Sequence, residues 1–155
     1  MNAIPEAGRP IEVLLVEDSP GDVRLTREAF REANRSVALF VASDGIEAMA
    51  FLKREGAYVD ARRPHLILLD LNLPKIDGHQ VLANIKEDDS LKTIPTVILT
   101  TSEAEGDIAK SYALQANCYL TKPVLVGDFE GLVRSINDFW LTRVSLQPPE
   151  QGAPA

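Results

Sequence analysis

The sequence predicts an α/β domain, a doubly wound five-stranded parallel sheet of strand order 2-1-3-4-5. Three observations carry that prediction. Short apolar runs alternate with helical patterns five times along the chain, which implies a parallel sheet covered on both faces. The runs Ile11–Val16, Leu66–Leu69 and Val97–Leu99 are nearly continuous in apolar residues, as strands buried on both faces require. Right-handed crossovers then leave few topologies, and the doubly wound order sets those three strands side by side.

Taken in order, Ile11–Val16 is the first strand. Ser19-Pro20 supplies an N-cap followed by proline at the first helical position, and Val23, Leu25, Ala29 and Phe30 carry a helix to about Ala33. Val37–Val41 is the second strand. Asp44 caps a second helix in which Ile46, Ala48, Met49 and Leu52 recur at three- and four-residue spacing. Glu55–Pro64 is a polar connection beyond the common loop length. Leu66–Asp70 is the third strand, followed by a helix from about Gly78 to Glu87. Ile94–Thr101 is the fourth strand, with a helix from about Glu103 to Leu114. Asn117–Leu120 is a short fifth strand, and Val126 to about Val144 a long final helix. The ordered domain is therefore expected over 11–144. The segments 1–10 and 145–155, rich in Pro, Gly, Ala and Glu without an apolar period, are expected to be disordered tails.

Composition narrows the function classes. The length, 155 residues, suits one domain with a full core. A net charge of -7 disfavours nucleic acid, which needs a basic footprint. No run approaches the roughly 20 apolar residues that span a bilayer, so no membrane is expected. The N-terminus has no basic segment followed by an apolar one, and Cys118 is the only cysteine, which leaves neither a disulfide nor a thiolate cluster. These features point to a cytoplasmic protein.

The chemistry sits at strand ends. Asp70 closes the third strand and opens a Pro/Gly loop, Glu17-Asp18 follow the first strand, Thr101 closes the fourth, and Lys122-Pro123 follow the fifth. In a doubly wound sheet, ligands bind outside the carboxyl ends of the strands where the order reverses, so Glu17, Asp18, Asp70, Thr101 and Lys122 should share one crevice. Three carboxylates at close range repel one another unless a cation joins them. An all-oxygen donor set favours a hard ion, and Mg2+ also engages phosphate oxygens. One oxygen of Asp70 then remains free to attack phosphorus, giving an acyl phosphate. Lys122 and the Thr101 hydroxyl would each hold a phosphoryl oxygen. Taken singly, each of these residues has a plainer reading as a cap or a helix-dipole partner. Together they read as a phosphoryl acceptor.

Glu17-Asp18, Asp70 within Asp-Leu-Asn-Leu-Pro-Lys-Ile-Asp-Gly, Thr101-Ser102, and Tyr119-Leu120-Thr121-Lys122-Pro123 resemble the motif set of two-component response-regulator receiver domains. The resemblance spans about Ile11 to Phe139 and keeps the motif order. It implies the flavodoxin-like receiver fold, with Asp70 as the residue phosphorylated by a sensor histidine kinase. It also implies that Asp18, Asp70 and the Asn72 backbone carbonyl hold Mg2+, with Glu17 acting through water. Thr101 and Lys122 would contact the phosphoryl group, and Tyr119 would be the aromatic switch that turns inward as the threonine moves. The Lys122-Pro123 peptide would be cis. Such a protein catalyses only its own phosphorylation and dephosphorylation. Val-Glu-Asp-Ser-Pro-Gly-Asp-Val-Arg-Leu-Thr at 16–26, Leu-Thr-Thr-Ser at 99–102 and Asn-Asp-Phe-Trp-Leu at 137–141 are similar to the small regulators paired with phytochrome-type kinases. With no residues assigned to an output domain, signalling is expected through protein contact.

The last helix bears on partners. Phe129, Leu132, Val133, Ile136 and Trp140 form a stripe facing the sheet, while Phe139 and Leu141 flank Trp140 at about 100 degrees to either side. Phe139, Trp140 and Leu141 are therefore expected at a homodimer interface built with the fifth strand. His65 and His79 read as structural, Cys118 as a small buried apolar residue, and Arg62 and Arg63 as solvated loop charges. Two rival functions stay open. An aspartyl-phosphate phosphohydrolase usually wants a second acid two residues after the nucleophile, where this chain has Asn72. A flavin carrier shares the fold, but these strand ends are acidic where a flavin phosphate wants donors.

Overall fold

The computed structural model describes residues 9–32 and 36–148. Five parallel strands run β1 (Ile11–Val16), β2 (Val37–Ala42), β3 (Leu66–Leu69), β4 (Thr96–Thr100) and β5 (Cys118–Thr121). Their order is β2-β1-β3-β4-β5, as expected. β1, β3 and β4 are buried almost throughout, whereas the edge strands β2 and β5 are half-buried, which matches the difference in apolar content along the sequence.

Among the described residues five α-helices cover the faces: α1 (Pro20–Arg31), α2 (Gly45–Lys53), α3 (Gly78–Glu87), α4 (Glu105–Ala113) and α5 (Val126–Ile136). Their starts follow local chemistry. Ser19 accepts from the Asp22 N–H at 3.3 Å with Pro20 at the first helical position, and Asp77 accepts from the Gln80 N–H at 2.9 Å. Asp44 accepts from the Glu47 N–H at 2.8 Å, and the Glu47 carboxylate reaches back to the N–H of Ser43, the residue before the cap, at 2.8 Å. The first helix was expected to reach about Ala33, which lies outside the described residues, as do most of the expected tails. No helix among the described residues is long and apolar enough to cross a membrane.

Alternation along the strands divides the core in two. Leu14, Val16, Ile67, Leu69 and Ile98 face α2 and α3, where Met49, Leu52, Val81, Leu82 and Ile85 pack. Val13, Leu15, Leu66, Leu68, Val97 and Leu99 face α1 and α5, where Phe30, Phe129, Val133 and Ile136 pack. The Glu55–Pro64 connection is not bare loop. Gly56–Tyr58 forms a 3-10 turn, and the Tyr58 ring meets Phe40 and Phe51 edge-on while its hydroxyl donates to Glu47 at 2.5 Å. Arg63, expected to be solvated, donates to the Thr93 hydroxyl at 3.0 Å and to the Ser90 carbonyl, tying this connection to the turn before β4.

The final helix departs from expectation. It is α-helical only to Ile136; Asn137–Arg143 continues as a π-helix, in which the Val144 N–H reaches back to the Phe139 carbonyl at 2.9 Å and the Thr142 hydroxyl to the Asn137 carbonyl at 3.1 Å. The wider turn puts residues five apart on one face. Leu141 therefore lands below Ile136 in the second core at 2% exposure, and is not the interface residue that α-helical spacing implied. Trp140 is half-buried against that core, and Phe139, 55% exposed, stacks edge-on to it at 5.6 Å. Leu146, inside the expected tail, also packs on this core.

This geometry separates two truncations. Leu141→Ala should lower unfolding free energy in urea by about 2–4 kcal/mol, as for other buried leucines. Phe139→Ala should change it by less than about 1 kcal/mol. Equal effects would contradict the π-helical register.

Candidate phosphoryl-acceptor site

The site gathers where β1, β3, β4 and β5 end. Chain direction makes this possible: parallel strands deliver all their C-terminal residues to one edge, and the reversal of order between β1 and β3 opens the crevice there. Glu17, Asp18 and Asp70 each bring a carboxylate oxygen within 4.8 Å of the others, with Glu17 and Asp70 buried and Asp18 exposed. Asp70 is fixed by its backbone and its side chain. Its N–H donates to the Val16 carbonyl at 3.1 Å, and its Oδ1 accepts from the Asn72 N–H at 3.1 Å. Glu17 Oε2 accepts from the Ser19 N–H at 3.1 Å.

Lys122 enters from the end of β5. Its N–H donates to the Thr100 carbonyl at 2.7 Å, which continues the β4–β5 ladder, and its buried ammonium donates to Glu17 Oε1, to Asp22 Oδ2 at 2.8 Å and to Asp70 Oδ2 at 3.0 Å. The Lys122-Pro123 peptide is trans, not cis as the resemblance implied; the ammonium reaches its partners from the form that X-Pro bonds favour by about 0.5–1 kcal/mol. Burial pushes the Glu17 carboxyl up to about 7, only partly offset by its bond to Lys122. Burial would lower the Lys122 ammonium, but the carboxylates of Asp22, Glu17 and Asp70 outweigh it and raise it above its ordinary 10.5. The crevice is thus short of positive charge. An all-oxygen set with one solvent-facing member fits a hard divalent cation that keeps part of its water.

The hydroxyl at the end of β4 is not the one singled out from sequence. Thr101 lies beyond the strand and is exposed, whereas Thr100 is wholly buried and its Oγ1 has no hydrogen-bond partner. Alternation sets Thr100 on the same side of the sheet as Ile98, with Thr121 as its neighbour across β5. A buried hydroxyl without a partner is uncommon in a folded core, and this one sits on the strand end whose carbonyl holds the Lys122 N–H. Tyr119, half-buried on the first core, donates its hydroxyl to the Ser102 carbonyl at 2.9 Å and so fastens the loop after β4. Asn72 is exposed at the rim. Asp22 was missed by sequence reasoning because an acid in the first turn of a helix already has a reading as a dipole partner. The histidines are structural, as expected: His65 Nδ1 accepts from the Glu12 N–H at 2.9 Å, and His79 Nε2 lies 3.0 Å from the Ser111 hydroxyl.

Residues 13–135 match the response regulator receiver domain. The chain belongs to that family. It is 49% identical over 141 residues to Response regulator Rcp1 of Synechocystis sp., covering 91% of this chain and 96% of Rcp1. It superposes on the crystal structure of the Mn(2+)-bound form of Rcp1 with a TM-score of 0.87 at 49% identity, over 90% of this chain and 100% of that one. The crystal structure of the phosphorylated cyanobacterial phytochrome response regulator RcpA matches with a TM-score of 0.88 at 46% identity, again over 90% and 100%. The protein is thus a response regulator of two-component signalling, homologous to Rcp1 and RcpA, and the family match selects this reading over the phosphohydrolase and flavin alternatives.

The receiver's loop after β3 depends on Gly78. A Cβ there would sit 2.2 Å from the Asp70 carbonyl oxygen and 2.5 Å from the Leu71 Cα, both backbone atoms. Gly78→Ala should push the Asp70 backbone out of register, lowering the thermal midpoint by several degrees and weakening divalent-cation binding in a calorimetric titration. A variant equal to wild type in both would refute this packing constraint.

Proposed function

We propose that this receiver accepts a phosphoryl group on Asp70 from a sensor histidine kinase of the phytochrome type, in the cytoplasm, with Mg2+ as the metal. The observation that carries the reading is the convergence of Glu17, Asp18 and Asp70 within 4.8 Å beside the buried Lys122 ammonium. The likeness to phosphorylated RcpA, a cyanobacterial phytochrome response regulator, supports the phosphoryl donor, and the likeness to Mn(2+)-bound Rcp1 supports a divalent ion. Glu17, Asp18, Asp70 and the Asn72 carbonyl would hold Mg2+, which when bound offsets the crowded negative charge and that of the incoming phosphoryl group.

An oxygen of Asp70 attacks phosphorus as the P–N bond to the donor histidine breaks, and that bond's electron pair stays on the imidazole nitrogen. Lys122 donates to a phosphoryl oxygen in the transition state. Thr100, rather than Thr101, supplies the hydroxyl that meets a second one, because its hydroxyl is buried and unspent. Its movement would release space into which the Tyr119 ring turns, shifting the loop after β4 between two populations. Beside Lys122, Val124, Leu125 and Val126 are all exposed, at 98%, 66% and 57%, and this apolar rim supports docking of the kinase next to the acceptor. Two copies would pair through the end of the last helix and the β5 edge, with Phe139 and Trp140 at the contact and Leu141 excluded by its burial.

Incubation with acetyl phosphate and Mg2+ should give a shifted band on a phosphate-affinity gel. The band should vanish in Asp70→Asn and on metal chelation, and its formation should slow about tenfold or more in Thr100→Ala but much less in Thr101→Ala. Persistence of the band in Asp70→Asn would refute the assignment of the acceptor. Sedimentation velocity should show a wild-type dimer that Phe139→Ala dissociates; a wild-type monomer at micromolar concentration would remove the proposed interface.

A further inference from the structure

Lys122 has three N–H donors and no acceptor, and the structure gives it three carboxylates. Two of them, Glu17 and Asp70, belong to the cation cluster; the third, Asp22, does not. Asp22 Oδ2 lies 2.8 Å from the ammonium, closer than Asp70 Oδ2 at 3.0 Å. Its placement is tightly determined. The Asp22 N–H is held by the Ser19 hydroxyl at 3.3 Å, and its carbonyl accepts the hydroxyl of the buried Thr26 at 2.7 Å. The side chain thus projects from the first turn of α1 onto an ammonium delivered from β5. The helix uses only the backbone of Asp22, and its carboxylate meets Lys122.

We propose that Asp22 is a positioning residue that acts through Lys122. This inference rests on the phosphoacceptor reading of Asp70. A carboxylate on the α1 side takes a share of the ammonium from Glu17 and Asp70, both of which it also contacts. Without it, the full charge of Lys122 would settle on those two groups, which are also the buried members of the cation cluster. The ammonium would then compete with the divalent ion for their oxygens and cover the oxygen of Asp70 that attacks phosphorus. Asp22 therefore takes one of the three Lys122 donors, so the ammonium stays close enough to meet an incoming phosphoryl oxygen while Glu17 and Asp70 share only part of its charge. Its side chain, 32% exposed where Lys122 is 5% exposed, remains outside the cluster itself.

A double-mutant cycle on the full chain tests this, because a through-lysine effect disappears when the lysine is gone. Asp22→Asn keeps the shape of the side chain and removes its charge. In the wild-type background it should weaken Mn2+ binding, read by titration of free Mn2+ in electron paramagnetic resonance, about tenfold, and slow acetyl-phosphate labelling by a similar factor, as loss of an outer-shell partner does. In a Lys122→Met background the same substitution should change Mn2+ affinity by less than about twofold, with thermal melts confirming that all four proteins fold. An unchanged Mn2+ affinity in the single variant would overturn the proposal. So would an equal loss in both backgrounds, since that is the response to one fewer negative charge near the site. A wild-type protein that binds no Mn2+ and takes no phosphoryl group would overturn the phosphoacceptor reading, and this inference with it.

Discussion

The buried ammonium of Lys122 is the counter-charge on which the carboxyl edge of the sheet depends. Glu17, Asp22 and Asp70 come from the end of β1, the first turn of α1 and the end of β3, and none of those elements supplies a positive group of its own to the cluster. Removing one partner of such a buried pair is strongly destabilising, by about 3–5 kcal/mol, because the remaining charge stays buried and unpaired. The lysine reaches the cluster only because β5 lies next to β4 and β4 next to β3. The Lys122 N–H closes the β4–β5 ladder on the Thr100 carbonyl, and that backbone bond aims its side chain along the edge. Strand order and charge balance are therefore one constraint. A sheet wound in another order would strand two buried carboxylates, and Glu17, already pushed up to about 7 by burial, would take a proton.

The loop after β3 shows the same economy of placement. Asp70 needs its backbone pinned to β1 and its Oδ1 held by the Asn72 N–H, so the chain must turn sharply at once. The Gly78 N–H bonds the Leu71 carbonyl at 2.9 Å, and the start of α3 lies directly against the Asp70 carbonyl, where only a residue without a Cβ fits. Asp77 then caps α3, which packs Val81, Leu82 and Ile85 into the first core. The position of Asp70 is thus set by a helix start eight residues later in the chain, not by the strand alone.

Most of this fold was legible in the sequence because its signals were local. Ser19-Pro20, Asp44 and Asp77 mark helix starts by their own chemistry, and the apolar runs of β1, β3 and β4 announce central strands. Glu17, Asp18, Asp70 and Lys122 were legible as one set because parallel topology sends strand ends to a common edge. What escaped the sequence was phase. β4 is buried on both faces, so no polar alternation tells which of two adjacent threonines points inward, and Thr101 was chosen where Thr100 is the buried one. At the end of the last helix, α-helical spacing put Leu141 outside, whereas the π-helical turn over Asn137–Arg143 rotates it into the core. Asp22 escaped for a different reason: its partner is 100 residues away, and nothing local distinguishes a carboxylate that faces solvent from one that faces Lys122.

The hydrogen bonds around the site also set which way a change at Asp70 would travel. On the proposed reading, a phosphoryl group replaces a single carboxylate charge with about two negative charges and three acceptor oxygens. The donors of Lys122 are already divided among three carboxylates, so the α1 side of the site has little left to rearrange. Among the described residues, the buried hydroxyl without a partner is that of Thr100, at the end of β4. A new acceptor at Asp70 would therefore recruit β4 before it recruits α1. The next groups along that path are Ser102, whose carbonyl holds Tyr119 and whose hydroxyl donates to Asp107 Oδ2 at 2.6 Å in the first turn of α4. On that reading, charge added at one strand end would be coupled through two hydrogen bonds of a single serine to α4 and to β5, one of the two edge strands of the sheet.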